Sequence, residues 1–367
     1  MFENLRIKNF RLFDDLEIGE LKRINLLAGR NNAGKTAVLE AIYLLASVGN
    51  PRRAIEVKGI RGISETSGSP GRLPTSYWKP LFSQLNMQRS IEISGAHSHL
   101  GPVALAISLE RRDDSETPEP YRFPTSQVAQ GVADDAQEAV SHDIGERLAD
   151  PWALHLSWAT NMGRDTCDMR VTEHSHRIVS ADLGIPLHPI YLSLGPGNAH
   201  EDAVRLGQLR ARKKGDLLTK ALQVVEPSLE SVEDISATGT PMIWGDIGLP
   251  ELTPLSAMGE GVARIARIVL ATSSVPGGVV LVDEIENGFH HSVMKKVWSV
   301  VEEAAQLFDA QVIATTHSYE CLMAAHEALR DEWRFHRLDR TKEGSSQCVT
   351  FDTERVEAAI RHWLEVR

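Results

Sequence analysis

Apolar and polar positions alternate at the start of the chain. LRIKNFRLF (5–13) sets Leu5, Ile7, then Phe10 and Phe13 around Arg11, a period of two that predicts a strand. LEIGEL (16–21) reads as another. INLLAGR (24–30) is a short apolar run, the pattern of a buried strand, and Gly29 ends it. From Thr36 to Ala46, TAVLEAIYLLA is apolar at helical spacing. Residues 50–90 are rich in Gly, Pro, Ser and Arg and predict loops with short helices. Strand patterns dominate from 90 to 200: IEISG, VALAISLE, WALHLSW, MRVTE, HRIVSADL and PIYLSL. Between them an acidic, Pro-containing stretch (111–143) predicts an exposed loop or flexible insertion. Residues 200–226 turn helical and charged. SAMGEGVARIARIVLATSS then reads as a helix, GGVVLVDE as a buried strand, FHHSVMKKVWSVVEEAAQLF as a helix and QVIATTHS as a strand. DTERVEAAIRHWLEVR reads as a closing helix. There is no internal repeat and no sustained heptad.

With 367 residues, 42% of them hydrophobic, the chain can bury a sizeable core in one large domain or two modest ones. Charge adds a constraint. Lys and Arg number 39 against 50 Asp and Glu, a net charge of −11, which argues against a surface coated in cations for duplex DNA. A local basic patch stays open. Cys167, Cys321 and Cys348 form neither a disulfide framework nor a CxxC pair. The expected compartment is therefore reducing, the cytoplasm. MFENLRIKNFRLFDD lacks an apolar signal-peptide region, and no apolar run reaches the length of a membrane span.

Gly29-Arg30-Asn31-Asn32-Ala33-Gly34-Lys35-Thr36 matches GxxxxGK[ST] in full, after an apolar strand and opening a helix. Such a loop turns backbone N–H groups on an anion, here those of Gly29, Asn31, Asn32, Ala33, Gly34, Lys35, Thr36 and Ala37, and the helix N-terminus adds its positive end. Lys35 supplies a point charge for the β- and γ-phosphates of ATP, and Thr36 a hydroxyl for Mg²⁺. The chemistry needs a second metal anchor. The strand GGVVLVDE delivers Asp283 and Glu284 at its C-terminal end, where α/β sheets bind ligands. Asp283 is the candidate Mg²⁺ residue and Glu284 the candidate base for the attacking water; Glu286 could share or replace that role. QVIATTHS brings His317 to a neighbouring strand end, as a γ-phosphate or water contact. Ser256, Gly259 and Glu260 open the helix after Pro254 and form a second anion-binding helix start, or else an ordinary cap. One chain needs one such site for its own nucleotide, so the second is assigned to the nucleotide of another subunit.

The order LRIKNFRLF, GRNNAGKT, LSAMGEG, VVLVDEIENGFHHS, VIATTHS resembles the ABC-type ATPase heads of the SMC, RecF and OLD (overcoming lysogenisation defect) branch. PLSAMGEGVARIARIVLA, LVDEIENGFHHSVMKKVW and ATTHSYECL resemble its compact OLD-like bacterial ATPases most closely. The resemblance covers about residues 1–50 and 240–367. It implies an α/β P-loop NTPase of ABC-ATPase head type, with a mixed sheet, an antiparallel β subdomain, helices on both faces and a variable inserted lobe. Residues 1–95 would form the N-terminal part of the head, 96–240 a β-rich region with a helical basic insertion, and 241–367 the C-terminal part. It further implies a homodimer or higher even oligomer that sandwiches ATP head to tail. Lys35, Thr36, Asp283, Glu284 and His317 would act from one subunit; Ser256, Gly259 and Glu260 from the other. Asn287 and Gly288 fall where a loop crosses the dimer interface, and Arg11 and Phe13 near the adenine end. LSAMGE carries one residue more than LSGGQ, so backbone groups of Met258 and Gly259 could replace Ser256. Gln84 and Gln88 are the candidates for a Q-loop.

OLD proteins often append a TOPRIM nuclease, and the 50 residues after His317 are too few for one. The expected role is a slow ATPase switch, the sensor or scaffold of an anti-phage defence system holding a separate nuclease or toxin effector. The alternative is a RecF-like repair ATPase that clamps DNA; a transporter ATPase and a non-hydrolysing scaffold fit less well. The basic run Arg205, Arg210, Arg212, Lys213, Lys214 is the candidate nucleic-acid or partner contact, or else a solvated helix face. His290 and His291 are adjacent, a poor metal pair on a helix.

Overall fold

The computed structural model describes residues 1–47, 50–59, 78–111, 152–171, 176–180, 187–195, 197–236, 239, 241–330, 332–341 and 344–361. The first alternating segment is a hairpin where the sequence predicts one strand. β1 (Leu5–Phe10) pairs antiparallel with β2 (Phe13–Ile18), Phe10 opposite Phe13. The reason is local: Arg11 takes a positive φ of 55°, and the short turn puts both phenylalanines into the core. β3 (Ile24–Gly29) leads into α1 (Lys35–Ala46), and α2 (Arg52–Gly59) follows. β4 (Ile91–His97), β5 (Gly101–Arg111), β6 (Trp152–Thr160), β7 (Gly163–Val171) and β8 (His176–Ser180) extend the hairpin into an antiparallel sheet of order β2-β1-β4-β5-β6-β7-β8. The acidic stretch expected as an insertion lies, beyond Arg111, outside the described residues.

β9 (Ile190–Leu192) precedes α3 (Ala199–Ala211), α4 (Asp216–Leu222) and a small sheet of β10 (Ser231–Ile235), β11 (Met242–Asp246) and β12 (Thr253–Pro254). Then come α5 (Glu260–Ser274), β13 (Val279–Val282), α6 (Met294–Leu307), β14 (Gln311–Thr315), α7 (Tyr319–Ala328), β15 (Trp333–Arg340), β16 (Ser346–Phe351) and α8 (Thr353–Arg361). The second large sheet has the order β16-β15-β3-β14-β13-β9, parallel except for β16.

The apolar runs are apolar because this sheet is covered on both faces. Ile24, Leu26, Val280, Val282, Val312 and Ala314 pack on the face with α5, α6 and α7; Leu27, Val279, Leu281 and Ile313 pack on the other, with α1. α1 lies between the two large sheets, touching β1, β4 and β5 on one side and β3, β13 and β14 on the other. That sandwiched place explains a helix that is apolar nearly all round. Gln311 joins the sheets. Its buried side chain accepts from the Phe2 N–H (2.9 Å) and donates to the carbonyls of Phe2 and Lys22 (both 2.8 Å). The strand order, the strand-to-helix loop after β3 and the stacked antiparallel sheet make this an α/β P-loop NTPase fold of ABC-ATPase head type. Among the described residues no helix is long and apolar enough to cross a membrane.

A second buried polar cluster carries a pH prediction. His336 bridges the Thr350 hydroxyl (3.0 Å) and Asn25 Oδ1 (3.3 Å). Burial pushes its pKa down from 6.5 to about 3, with Arg334 adding to the shift. Between those values the unfolded chain binds a proton that the folded chain does not, so stability falls as pH drops from 6.5 toward 3. Urea titrations across that window should show the fall, and His336→Gln should make it shallower by about one proton. An unchanged slope would mean that His336 titrates normally.

Candidate functional site

β3 ends where its backbone must turn sharply against a neighbour. A Cβ on Gly29 would lie 2.3 Å from the Leu338 carbonyl oxygen on β15, and one on Gly34 (φ +103°) 2.5 Å from the Phe13 ring. Both positions exclude side chains for that reason. The Ala33 N–H closes the loop on the Arg30 carbonyl (3.0 Å). Asn31 and Asn32 are exposed at its outer edge. Gly34 caps α1 with no side-chain hydrogen bond, so the first-turn N–H groups of Lys35, Thr36 and Ala37 have no side-chain partner at the cap. Lys35 is 9% exposed, and its ammonium donates to the Gly29 carbonyl (2.8 Å). Burial lowers its pKa, while Glu284, Asp283 and Glu286 pull it back up.

Three strand ends converge on this loop. Asp283, just past β13, is buried. Its Oδ2 accepts from the Thr36 hydroxyl (3.1 Å) and the Tyr191 hydroxyl (3.3 Å); its Oδ1 accepts from the Thr315 hydroxyl (2.6 Å). Glu284 follows with a left-handed backbone, φ 45°, and its N–H donates to Thr315 Oγ1 (2.8 Å). His317 lies beyond β14. Its Nδ1 is 3.0 Å from Glu286 Oε1 and 3.7 Å from Glu284 Oε1, and its backbone N–H donates to that same Glu286 oxygen (2.8 Å). Glu286 is thereby tied to His317, while Glu284 keeps a partly exposed carboxylate.

The second helix start is exposed. Ser256 sits in a 3-10 turn, Leu255–Ala257, and Gly259 (φ +119°) precedes α5 without a side-chain cap. Ser256, Gly259 and Glu260 all face solvent. Behind them the tip packs on the segment after Glu286: a Cβ on Gly261 would lie 2.7 Å from the Gly288 carbonyl oxygen, and one on Gly288 (φ +81°) 2.9 Å from Glu260. One turn into α5, buried Arg264 reaches the Asp283 carbonyl (2.5 Å), the Glu284 carbonyl (3.4 Å) and the Ser193 carbonyl (2.7 Å). Burial, with Arg267 beside it, lowers its pKa to about 10. The helix tip and the carboxylate strand are thus one mechanical piece.

Other expected residues have different surroundings. Phe13 is fully buried beneath Gly34. The Arg11 guanidinium is held by Glu40 (3.0 Å) and the Pro80 carbonyl (3.1 Å). In this conformation both brace the loop and helix α1. Gln84 lies on an exposed turn with φ 52° and donates to Asp14 (3.0 Å); Gln88 is exposed. Four cations of the basic run are engaged within the chain. Arg205 pairs with Glu201 and Asp202, Arg210 with Glu233 and Asp234, Arg212 donates to the Ser273 carbonyl, and Lys214 lies over the Phe308 ring. His290 and His291 stack with centroids 4.1 Å apart. No group of three or more metal-ligating side chains occurs among the described residues.

Sequence reasoning missed Tyr191, Thr315 and Arg264. Arg264 carries a signal, a charge within the apolar stripe of Val262, Ile265 and Ala266. The other two depend on which strands become neighbours.

Residues 134–323 match the family described as "AAA domain, putative AbiEii toxin, Type IV TA system", and residues 1–81 match "AAA ATPase domain". An ATP/GTP phosphatase of Helicobacter pylori is 23% identical over 351 residues, covering 90% of this chain and 89% of that protein. The replication and repair protein RecF of Lactobacillus johnsonii is 37% identical over 73 residues, 20% of each chain. Among solved structures, an Smc head bound to the C-terminal winged-helix domain of ScpA is 11% identical, covers 97% of this chain and 99% of its own, and has a TM-score of 0.49. An Smc head domain of Thermotoga maritima gives 10%, 96%, 99% and 0.42. With a match over more than half its length, the chain belongs to the AAA-domain family described as putative AbiEii toxin of type IV toxin–antitoxin systems.

Proposed function

We propose that this chain is an ATP-hydrolysing switch that closes as a head-to-tail dimer around two ATP molecules. The observation that carries it is the contact of the Thr36 hydroxyl with Asp283 (3.1 Å), which joins the phosphate loop to the carboxylate strand and leaves Lys35, Glu284 and His317 around one point. Thr36 and Asp283 are hard oxygen donors already in contact, and they fit Mg²⁺, which takes few protein ligands and keeps water and phosphate oxygens. Bound there, the ion neutralises charge on the β- and γ-phosphates.

The chain's own groups do the rest. The loop N–H groups of Gly29, Asn31, Asn32, Ala33 and Gly34 and those of Lys35, Thr36 and Ala37 cradle the phosphates, and the Lys35 ammonium meets the β/γ oxygens. Glu284 takes the proton of the attacking water. His317, held by Glu286, contacts the γ-phosphate. Ser256, Gly259 and Glu260 of the second copy cap the same nucleotide. Support comes from the tip itself, exposed and uncapped. Arg264 passes its position to Asp283 and Glu284, so capping one nucleotide informs the other site.

The family description, with its putative toxin of a toxin–antitoxin system, supports a defence role, and the Helicobacter pylori relative supports nucleotide hydrolysis; the cytoplasm and a separate nuclease or toxin effector complete the proposal. A DNA-clamping role is the second reading, favoured by the RecF segment; the intrachain pairing of Arg205, Arg210, Arg212 and Lys214 weighs against it.

Subunit mixing tests the shared site. Lys35→Ala and Ser256→Glu should each be inactive alone. Mixed one to one, they should recover about one quarter of the wild-type rate, since half the dimers are mixed and each holds one intact site. No recovery would mean that each site is complete within one chain.

A further inference from the structure

Thr315, the last residue of β14, is fully buried. The register that sets Val282 against Ala314 carries it alongside Asp283. A hydroxyl has one proton to donate, and here it goes to Asp283 Oδ1 at 2.6 Å. The Thr315 hydroxyl oxygen in turn accepts the Glu284 N–H at 2.8 Å, and the Thr315 carbonyl accepts the Ile285 N–H at 3.0 Å. One side chain and its carbonyl thus hold three consecutive residues. The middle one, Glu284, has φ 45°, a conformation that persists only where its surroundings impose it. Arg264 grips the carbonyls of Asp283 and Glu284. With Oδ1 engaged by Thr315, Oδ2 is the oxygen that meets Tyr191 (3.3 Å) and the nearer one to Thr36, 3.1 Å against 3.4 Å for Oδ1.

We propose that Thr315 is the positioning residue of this site: its hydroxyl selects which Asp283 oxygen is presented to the cation and holds Glu284 in its left-handed turn. The inference rests on Asp283 and Glu284 having the roles proposed above. Valine has the same shape and neither hydrogen bond. It takes the β14 partner from both the Glu284 N–H and Asp283 Oδ1, whose remaining contact is Thr36 at 3.4 Å, so the carboxylate can rotate and the turn can relax. Serine keeps the hydroxyl.

The test follows a fluorescent ATP analogue binding to the full chain as Mg²⁺ is added, and separately in EDTA. In Thr315→Val the half-saturating Mg²⁺ should rise about 10- to 100-fold, while binding in EDTA stays within about twofold of wild type. Thr315→Ser should stay within about threefold of wild type in both conditions. A lesion of packing alone would weaken binding in EDTA as well. If Thr315→Val does not fold, Thr315→Cys, with its weak S–H donor, should show the same Mg²⁺-specific shift at smaller amplitude. A valine or cysteine variant that saturates at the wild-type Mg²⁺ concentration overturns the proposal, as does a serine variant as impaired as valine. Wild-type binding that ignores Mg²⁺ would instead refute the assignment of Asp283, and this inference with it.

Discussion

Lys35→Ala should weaken ATP binding by about 100-fold, the loss expected when a charged partner is removed from a phosphate site. The residue is 9% exposed and its ammonium rests 2.8 Å from the Gly29 carbonyl. Asp283, Glu284 and Glu286 each stabilise its charge. Without Lys35, the loop loses the charge that offsets these carboxylates on the triphosphate side. Calorimetric titration with ATP measures the effect, and the melting curve should move little because the lysine packs against its own loop. Binding within about threefold of wild type would remove this loop from the nucleotide site.

Glu284→Gln should keep ATP affinity and lower turnover by about 100- to 1000-fold, the span general-base catalysis supplies. The change keeps the size of the side chain and every backbone contact, including the N–H bond to Thr315 and the carbonyl contact with Arg264. It removes one property, the capacity to take a proton. Glu286 stands close by, but its oxygen is engaged by both the ring and the backbone of His317. Phosphate release under saturating ATP measures the loss. A wild-type rate would move the base to Glu286 or to His317.

The elements that were legible in the sequence are those whose pattern is local. INLLAG, VVLV and QVIAT read as buried, mainly apolar strands because both faces of their sheet are covered, and GRNNAGKT carries its geometry in its glycines. The hairpin turn at Arg11 was hidden, because Phe10 and Phe13 fit one alternating strand as well as two paired ones. The strand order was hidden too: nothing near Ile24 says that β14 and β15 flank it. That order creates the contacts of Gln311 with Phe2, of Tyr191 with Asp283 and of Thr315 with Asp283 and Glu284. The basic run shows the same limit from the other side. Its five cations look like one patch in sequence, and the fold distributes Arg205, Arg210, Arg212 and Lys214 among separate partners.

The account turns on two copies closing over nucleotide, and the mass of Glu284→Gln in saturating Mg²⁺ and ATP tests that directly by light scattering after size exclusion. The predicted particle has twice the single-chain mass of 40.5 kDa and returns to one chain when the nucleotide is removed. A particle of 40.5 kDa with ATP fully bound would contradict it.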